Sequence, residues 1–159
     1  GNEITWHIPY LYNYAGKPWM TQRRIRQILD LWYGDGPLGF CGDEDYGEMS
    51  SWYILSAMGF YTVVPGRPVY DIGSPLFEKS TIDIGDGKKF TIECRNISTQ
   101  NKYIQSASMN GKELNRAWFT HEELMQGGTL LLNMGPRPNK KWATDIENLP
   151  VSLTPISSK

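Results

Sequence analysis

The sequence predicts an α+β fold in which helices come first and a mostly antiparallel, sandwich-like β unit follows. Three observations carry that expectation. Apolar residues at helical spacing are confined to the first sixty positions, short turn-bounded runs of strand-forming residues follow, and Gly-containing pairs able to close hairpins sit between those runs. The boundary is expected at residue 60, dividing a helical segment, 1–60, from a β unit, 61–159.

The first long helix is expected over residues 21–33. The Thr21 hydroxyl is suited to capping it, Ile25, Ile28, Leu29 and Trp32 share one face, and Gly34 is expected to end it as a left-handed C′ residue. A second helix is expected over 47–59. Asp45 and Glu48 have the spacing of an N-cap and its reciprocal partner, and Met49, Trp52, Tyr53, Leu55 and Met58 cover nearly all its sides, so it should be buried among other helices.

Strands are expected at Tyr61 to Val64, Val69 to Ile72, Thr81 to Ile84, Lys89 to Glu93, Lys102 to Met109 and Thr129 to Asn133. Gly85-Asp86-Gly87 and Asn110-Gly111 supply residues that tolerate the positive φ of tight turns. One helical turn is expected from His121 to Met125, and the Ser-, Thr- and Pro-rich last residues should be irregular.

Composition excludes several classes. Sixteen basic residues are interspersed with seventeen acidic ones, leaving a formal charge of −1, so no field gathers nucleic acid or anionic membrane. No apolar run is long enough to span a bilayer. Cys41 and Cys94 stand alone, without the spacing of a zinc site or a disulfide framework.

Candidate chemistry concentrates in two segments. Gly42-Asp43-Glu44-Asp45-Tyr46-Gly47-Glu48 places four carboxylates at the mouth of the second helix; acidic groups there also favour the helix dipole, so capping competes with catalysis as an explanation. It lacks the remaining ligand positions of an EF-hand loop. The second segment, Asn2-Glu3-Ile4-Thr5-Trp6-His7, sets polar groups beside an aromatic ring, where a lone His is more often structural than catalytic.

The strings GNEITWHIPYLYNYAGKPW, GFCGDEDYGEMSSWYILSAMGFYTVVPG and YDIGSPLFEKSTI, followed by YIQSASMNGKEL and GGTLLLNMGPRPN, resemble consecutive motifs of glycoside hydrolase family 92 α-mannosidases. The resemblance implies a C-terminal piece of a calcium-dependent, inverting exo-α-mannosidase acting on mannose-terminated glycans, with α-1,2 linkage the expected preference. It implies that residues 1–60 are the end of an (α/α)6 barrel whose remainder, with a β-sandwich, lies upstream in the parent chain. Asp45 matches the family's general base and Asp43 its helper. Asn2, Glu3 and His7 match the terminal-sugar pocket, and Glu3 suits either calcium or sugar hydroxyls. The family's general acid, a Glu, falls upstream of these motifs, so the isolated chain should be inactive. A periplasmic, surface-anchored or secreted parent is expected. The competing expectation is a non-catalytic carbohydrate-binding or structural β module.

Overall fold

The structure, a computed structural model, describes residues 2–152. The expected irregular end falls largely on residues 153–159, outside the described residues. Helices occupy the first part of the chain and strands most of the rest, an α+β arrangement.

Two single-turn 3-10 helices, Glu3–Thr5 and Ile8–Tyr10, lead into α1 (Leu11–Tyr14). The next helix, α2 (Pro18–Trp32), starts earlier than the sequence suggests. Pro18 opens it because a proline's missing N–H is no loss in a first turn. Thr21 is therefore not its cap but a buried residue inside it. Nor does Gly34 end it in a left-handed conformation; the C-cap is Tyr33, which is extended.

The third helix, α3 (Glu48–Met58), corrects the expected capping box, since its N-cap is Gly47, Glu48 is already its first residue, and no N-cap side-chain bond forms. Its burial is one-sided: Met49, Trp52, Ser56 and Ala57 are buried while Ile54 is 55% exposed. Gly59 ends it at φ 110°, and a Cβ there would lie 2.5 Å from Pro75 Cγ, so both backbone and space demand glycine.

The strands form two sheets. In the smaller, β1 (Phe60–Tyr61), β2 (Val69–Ile72) and β7 (Trp118–Thr120) pair antiparallel in the order β1-β2-β7. Strand β1 stops at Tyr61, short of the expected Val64. The larger sheet orders β3 (Lys79–Gly85), β4 (Lys88–Arg95), β8 (Gly128–Gly135), β5 (Tyr103–Met109) and β6 (Lys112–Glu113) as β3-β4-β8-β5-β6. All its pairings are antiparallel except β4 with β8. Asp86 with Gly87 and Asn110 with Gly111 turn the two hairpins at positive φ. Helix α4 (His121–Gln126) carries a complete capping box between Thr120 and Glu123.

Two apolar cores result. The larger unites both sheets, with the Phe90 and Phe119 ring centroids 5.5 Å apart. The smaller joins the N-terminal segment to α2 and α3 through Trp6, Tyr10, Ile25, Leu29, Met49 and Trp52. Polar side chains bind the two parts together. From α1, Asn13 Nδ2 donates to Asp71 Oδ1 at 3.2 Å and to the carbonyls of Ile72 and Ala117; Tyr14 OH donates to Asp71 Oδ2. From α2, Gln22 Oε1 accepts from Ile104 N at 3.0 Å and Arg26 donates to Pro75 O. Burial raises the Asp71 carboxyl to about 7, against the lowering effect of the Asn13 and Tyr14 hydrogen bonds.

Candidate functional site

The N-terminal segment lies fastened alongside α3. Trp6 stacks on Trp52 with centroids 4.2 Å apart, the Trp6 indole N–H points at Met49 Sδ, and Trp52 Nε1 donates to the Trp6 carbonyl at 3.1 Å. One turn further, the Tyr10 hydroxyl meets Ser56 Oγ at 2.9 Å. Both ties join residues separated by 46 in sequence, so segment and helix advance together. Burying each large aromatic contributes roughly 1.5–3 kcal/mol, enough to fix this register firmly.

That register brings the two candidate segments to one place. Asp45 lies near enough to the Glu3 carboxyl that its side chain is the main cause of the raised Glu3 pKa. A backbone hydrogen bond opposes the rise, while desolvation and the charges of Asp45 and Glu48 add to it. Glu3 Oε2 is buried and has no hydrogen-bond partner. Asp45 and Glu48 are both exposed, so the cluster opens to solvent on one side.

The other nominated residues are placed less specifically. Asp43 is exposed, and its charge is not among those acting on Glu3. Asn2 precedes the first 3-10 turn and its carbonyl accepts from the Thr5 amide and hydroxyl. His7 is half-buried, and its carbonyl accepts from Tyr10 N at 3.0 Å.

The turn presenting Asp45 is strained. Asp45, Tyr46 and Gly47 follow one another at φ 47°, 58° and 93°. For the two residues with side chains this conformation costs on the order of 1–3 kcal/mol each, and such strain clusters at functional sites because surrounding structure must hold it. The carboxylate at the helix mouth that serves the backbone is Glu44, whose Oε1 accepts from Ser50 N at 3.2 Å. Asp45 is thereby left free of capping. Sequence reading missed Glu44 because a six-residue reach from carboxylate to amide matches no capping template, and it missed Glu48 as a third charge near Glu3.

An aromatic cluster centred on Tyr33 adjoins the acidic segment, near enough for Glu44 to act on the Tyr33 phenol. Tyr33 packs against Trp6, Phe40, Trp52 and Tyr53, with centroids between 4.8 and 6.1 Å away. Burial, and then the neighbouring Cys41 and Glu44, raise the Tyr33 phenol. Trp32 and Phe40 are each about half exposed, offering flat apolar surface at the edge of the cluster.

Glu3 fits calcium as a single ligand, being a hard carboxylate with a shielded, unpartnered oxygen. Calcium takes six to eight oxygens, however, and among the described residues no group of three or more His, Cys, Asp or Glu side chains converges to hold a metal. Any complete shell would need oxygens from elsewhere. Among the described residues, no helix is long and apolar enough to cross a membrane.

Residues 1–136 match the family model described as the glycosyl hydrolase family 92 catalytic domain. The chain is 36% identical over 156 residues to a protein of Arthroderma benhamiae named as an uncharacterised secreted glycosidase, covering 96% of this chain and 20% of that protein. A family GH92 inverting mannosidase from Bacteroides thetaiotaomicron is similar in structure at 46% identity and a TM-score of 0.88, over 93% of this chain and 20% of that one. A family GH92 α-mannosidase from the same organism reaches a TM-score of 0.94 at 37% identity, over 99% of this chain and 21% of that one. It has also been solved in complex with mannoimidazole. The chain thus spans about a fifth of the length of these relatives.

Proposed function

The chain belongs to glycosyl hydrolase family 92, and from that premise we propose that it is the C-terminal portion of a longer inverting exo-α-mannosidase. In this reading it brings the water-activating carboxylate and one wall of the terminal-mannose pocket. Residues 1–60 complete an (α/α)6 barrel, and residues 61–159 close against it. The observation that carries the reading is that the Trp6–Trp52 stack and the Trp52 Nε1 bond to the Trp6 carbonyl hold the Glu3 segment against α3, near enough for Asp45 to act on the Glu3 carboxyl.

Inversion requires one carboxylate to take a proton from water on one face of the sugar while a carboxylic acid on the other face protonates the leaving oxygen. Asp45 is the base. It is exposed, released from capping duty by Glu44, and held in a turn that its neighbours fix. Asp43, two residues earlier, helps position the water. Asn2, Glu3 and His7 line the pocket and bind hydroxyls of the terminal mannose. Glu3 would also offer an oxygen to calcium, with the remaining ligands supplied by other parts of the longer protein; when bound, the ion would help to hold the terminal sugar.

The acid comes from outside this chain. Glu44 is turned onto the helix start and Glu48 lies beside Glu3, whereas an inverting pair sits across the sugar with carboxyl groups roughly 6.5–9.5 Å apart. The substrate class is terminal α-linked mannose of glycans, with α-1,2 linkage preferred. The secreted relative supports export of the parent, whether periplasmic, surface-anchored or released.

The test is Asp45→Asn in the longer protein. Turnover of an α-1,2-mannobiose should fall by about 10²–10⁴-fold with binding largely spared, because the side chain keeps its shape and loses its basicity. Near wild-type turnover would remove Asp45 as the base.

A further inference from the structure

We propose that Glu44, which the family reading leaves without a role, is the positioning residue for the water-activating carboxylate. Its side chain folds back beneath the turn at residues 45–47 and pins that turn to the first turn of α3. The inference rests on the mannosidase reading above for its kinetic consequence, though not for its geometry.

Glu44 grips α3 twice. Its carbonyl accepts from Met49 N at 3.2 Å and its Oε1 accepts from Ser50 N at 3.2 Å. The chain between these anchors makes its excursion through three consecutive left-handed residues, Asp45, Tyr46 and Gly47. A Cβ on Gly47 would lie 4.0 Å from Glu44 Oε1, so the carboxylate sits directly under the turn. Tyr33 OH donates to the Met49 carbonyl at 3.3 Å, the acceptor of the same Met49–Ser50 peptide group whose N–H the Glu44 carboxylate binds. Ser51 adds a third tie, its hydroxyl donating to Gly47 O at 2.7 Å.

The geometry separates this role from catalysis. Glu44 Oε2 is buried, and its other oxygen is committed to Ser50, so the carboxylate faces the protein while its neighbours Asp43 and Asp45 face solvent. With Glu44 removed, two residues with side chains would have to keep a left-handed conformation with less to hold them, and relaxation of the turn would carry Asp45 away from Glu3. Misplacing a reacting group by about 1 Å can cost on the order of 10²-fold in rate.

The experiment compares Glu44→Ala and Glu44→Gln in the longer protein, measuring mannobiose turnover and hydrogen exchange at the backbone amides of residues 45–50. Glu44→Ala should lower kcat by roughly 10- to 100-fold with KM changed by less than about threefold. Glu44→Gln keeps an amide oxygen that accepts from Ser50 N, so it should retain most of kcat. Exchange at the Ser50 amide should accelerate about tenfold or more in the Ala variant and stay near wild type in the Gln variant. Wild-type kcat in Glu44→Ala, or equal damage from both substitutions, would overturn the proposal, the latter by assigning Glu44's charge a direct part in the chemistry. If the Ala variant fails to fold, the Gln variant alone still decides, since a large loss there contradicts a positioning role. Failure of the underlying reading appears separately, as full activity in Asp45→Asn or no release of mannose by the unsubstituted protein. The exchange rate at Ser50 then judges the grip of Glu44 on its own.

Discussion

The helical part and the β part finish their surfaces differently. Of the thirteen large apolar residues that are exposed among the described residues, nine fall within residues 1–59, including Leu31, Leu38 and Ile54, and four fall in the β part. The β part buries its apolar residues in a core shared by two sheets, whereas the helical part has a small core of six buried residues. The candidate site lies on the less finished side. One part reads as a completed unit and the other as a wall whose outer face awaits a neighbour, which matches a chain spanning about a fifth of its relatives' length.

The largest expected effect breaks the comparison outright if it fails. The isolated chain should release no mannose from α-1,2-mannobiose with added calcium, while the longer protein does, because loss of the acid alone removes about 10²–10⁴-fold and loss of the pocket removes more. Calcium-dependent turnover by the isolated chain would show that the helical side is self-sufficient.

Next is the β core. Phe90→Ala should destabilise the chain by about 3–5 kcal/mol in urea unfolding, since Phe90 is fully buried against Phe119. A loss below about 1 kcal/mol would mean that the β part is less consolidated than its burial indicates.

At the seam, Asp71 predicts a pH effect of a few kcal/mol at most. Its carboxyl sits at about 7 in the fold, against 3.8 for the unperturbed group, so the fold favours the neutral form. Its stabilising contribution is complete below about pH 4 and is lost as pH rises to about 7. Asp71→Asn should remove that slope and leave the variant more stable than wild type at pH 8, as read from urea midpoints at pH 5 and pH 8. A slope that persists undiminished in the variant would place the titrating group elsewhere.

The smallest effect concerns the exposed helical face. Leu31→Ser with Leu38→Ser should change unfolding free energy by less than about 0.5 kcal/mol each, since neither side chain is buried, yet reduce self-association in light scattering. A large loss of stability would show that the face is already packed.

Much of the fold was legible because local chemistry and tertiary structure agree. Asp86-Gly87 and Asn110-Gly111 announced their hairpins, and β2 spans the expected Val69–Ile72. The misread positions are those where tertiary contact overrode a local signal. Thr21 looked like a cap and is core, and the Asp45–Glu48 spacing was defeated by a left-handed turn that no spacing rule foresees. Strands β6 and β7 have two and three residues, too few for periodicity, and exist through their partners. For the site, acidic composition marked the region and family resemblance nominated Glu3 and Asp45. The 46-residue register that joins them, and the backward reach of Glu44, are properties of packing rather than of pattern.

The position of β8 has a consequence for how the chain assembles as it is made. This last strand of the larger sheet lies between β4 and β5, pairing parallel with one and antiparallel with the other. The β3–β4 and β5–β6 hairpins are local and can form early, but each then presents an unpaired edge toward a gap that only residues 128–135 fill. Until those residues leave the ribosome, two open edges persist on a nascent chain. Such edges recruit strands from other molecules, so the interval before β8 inserts is when this protein is most exposed to misassembly.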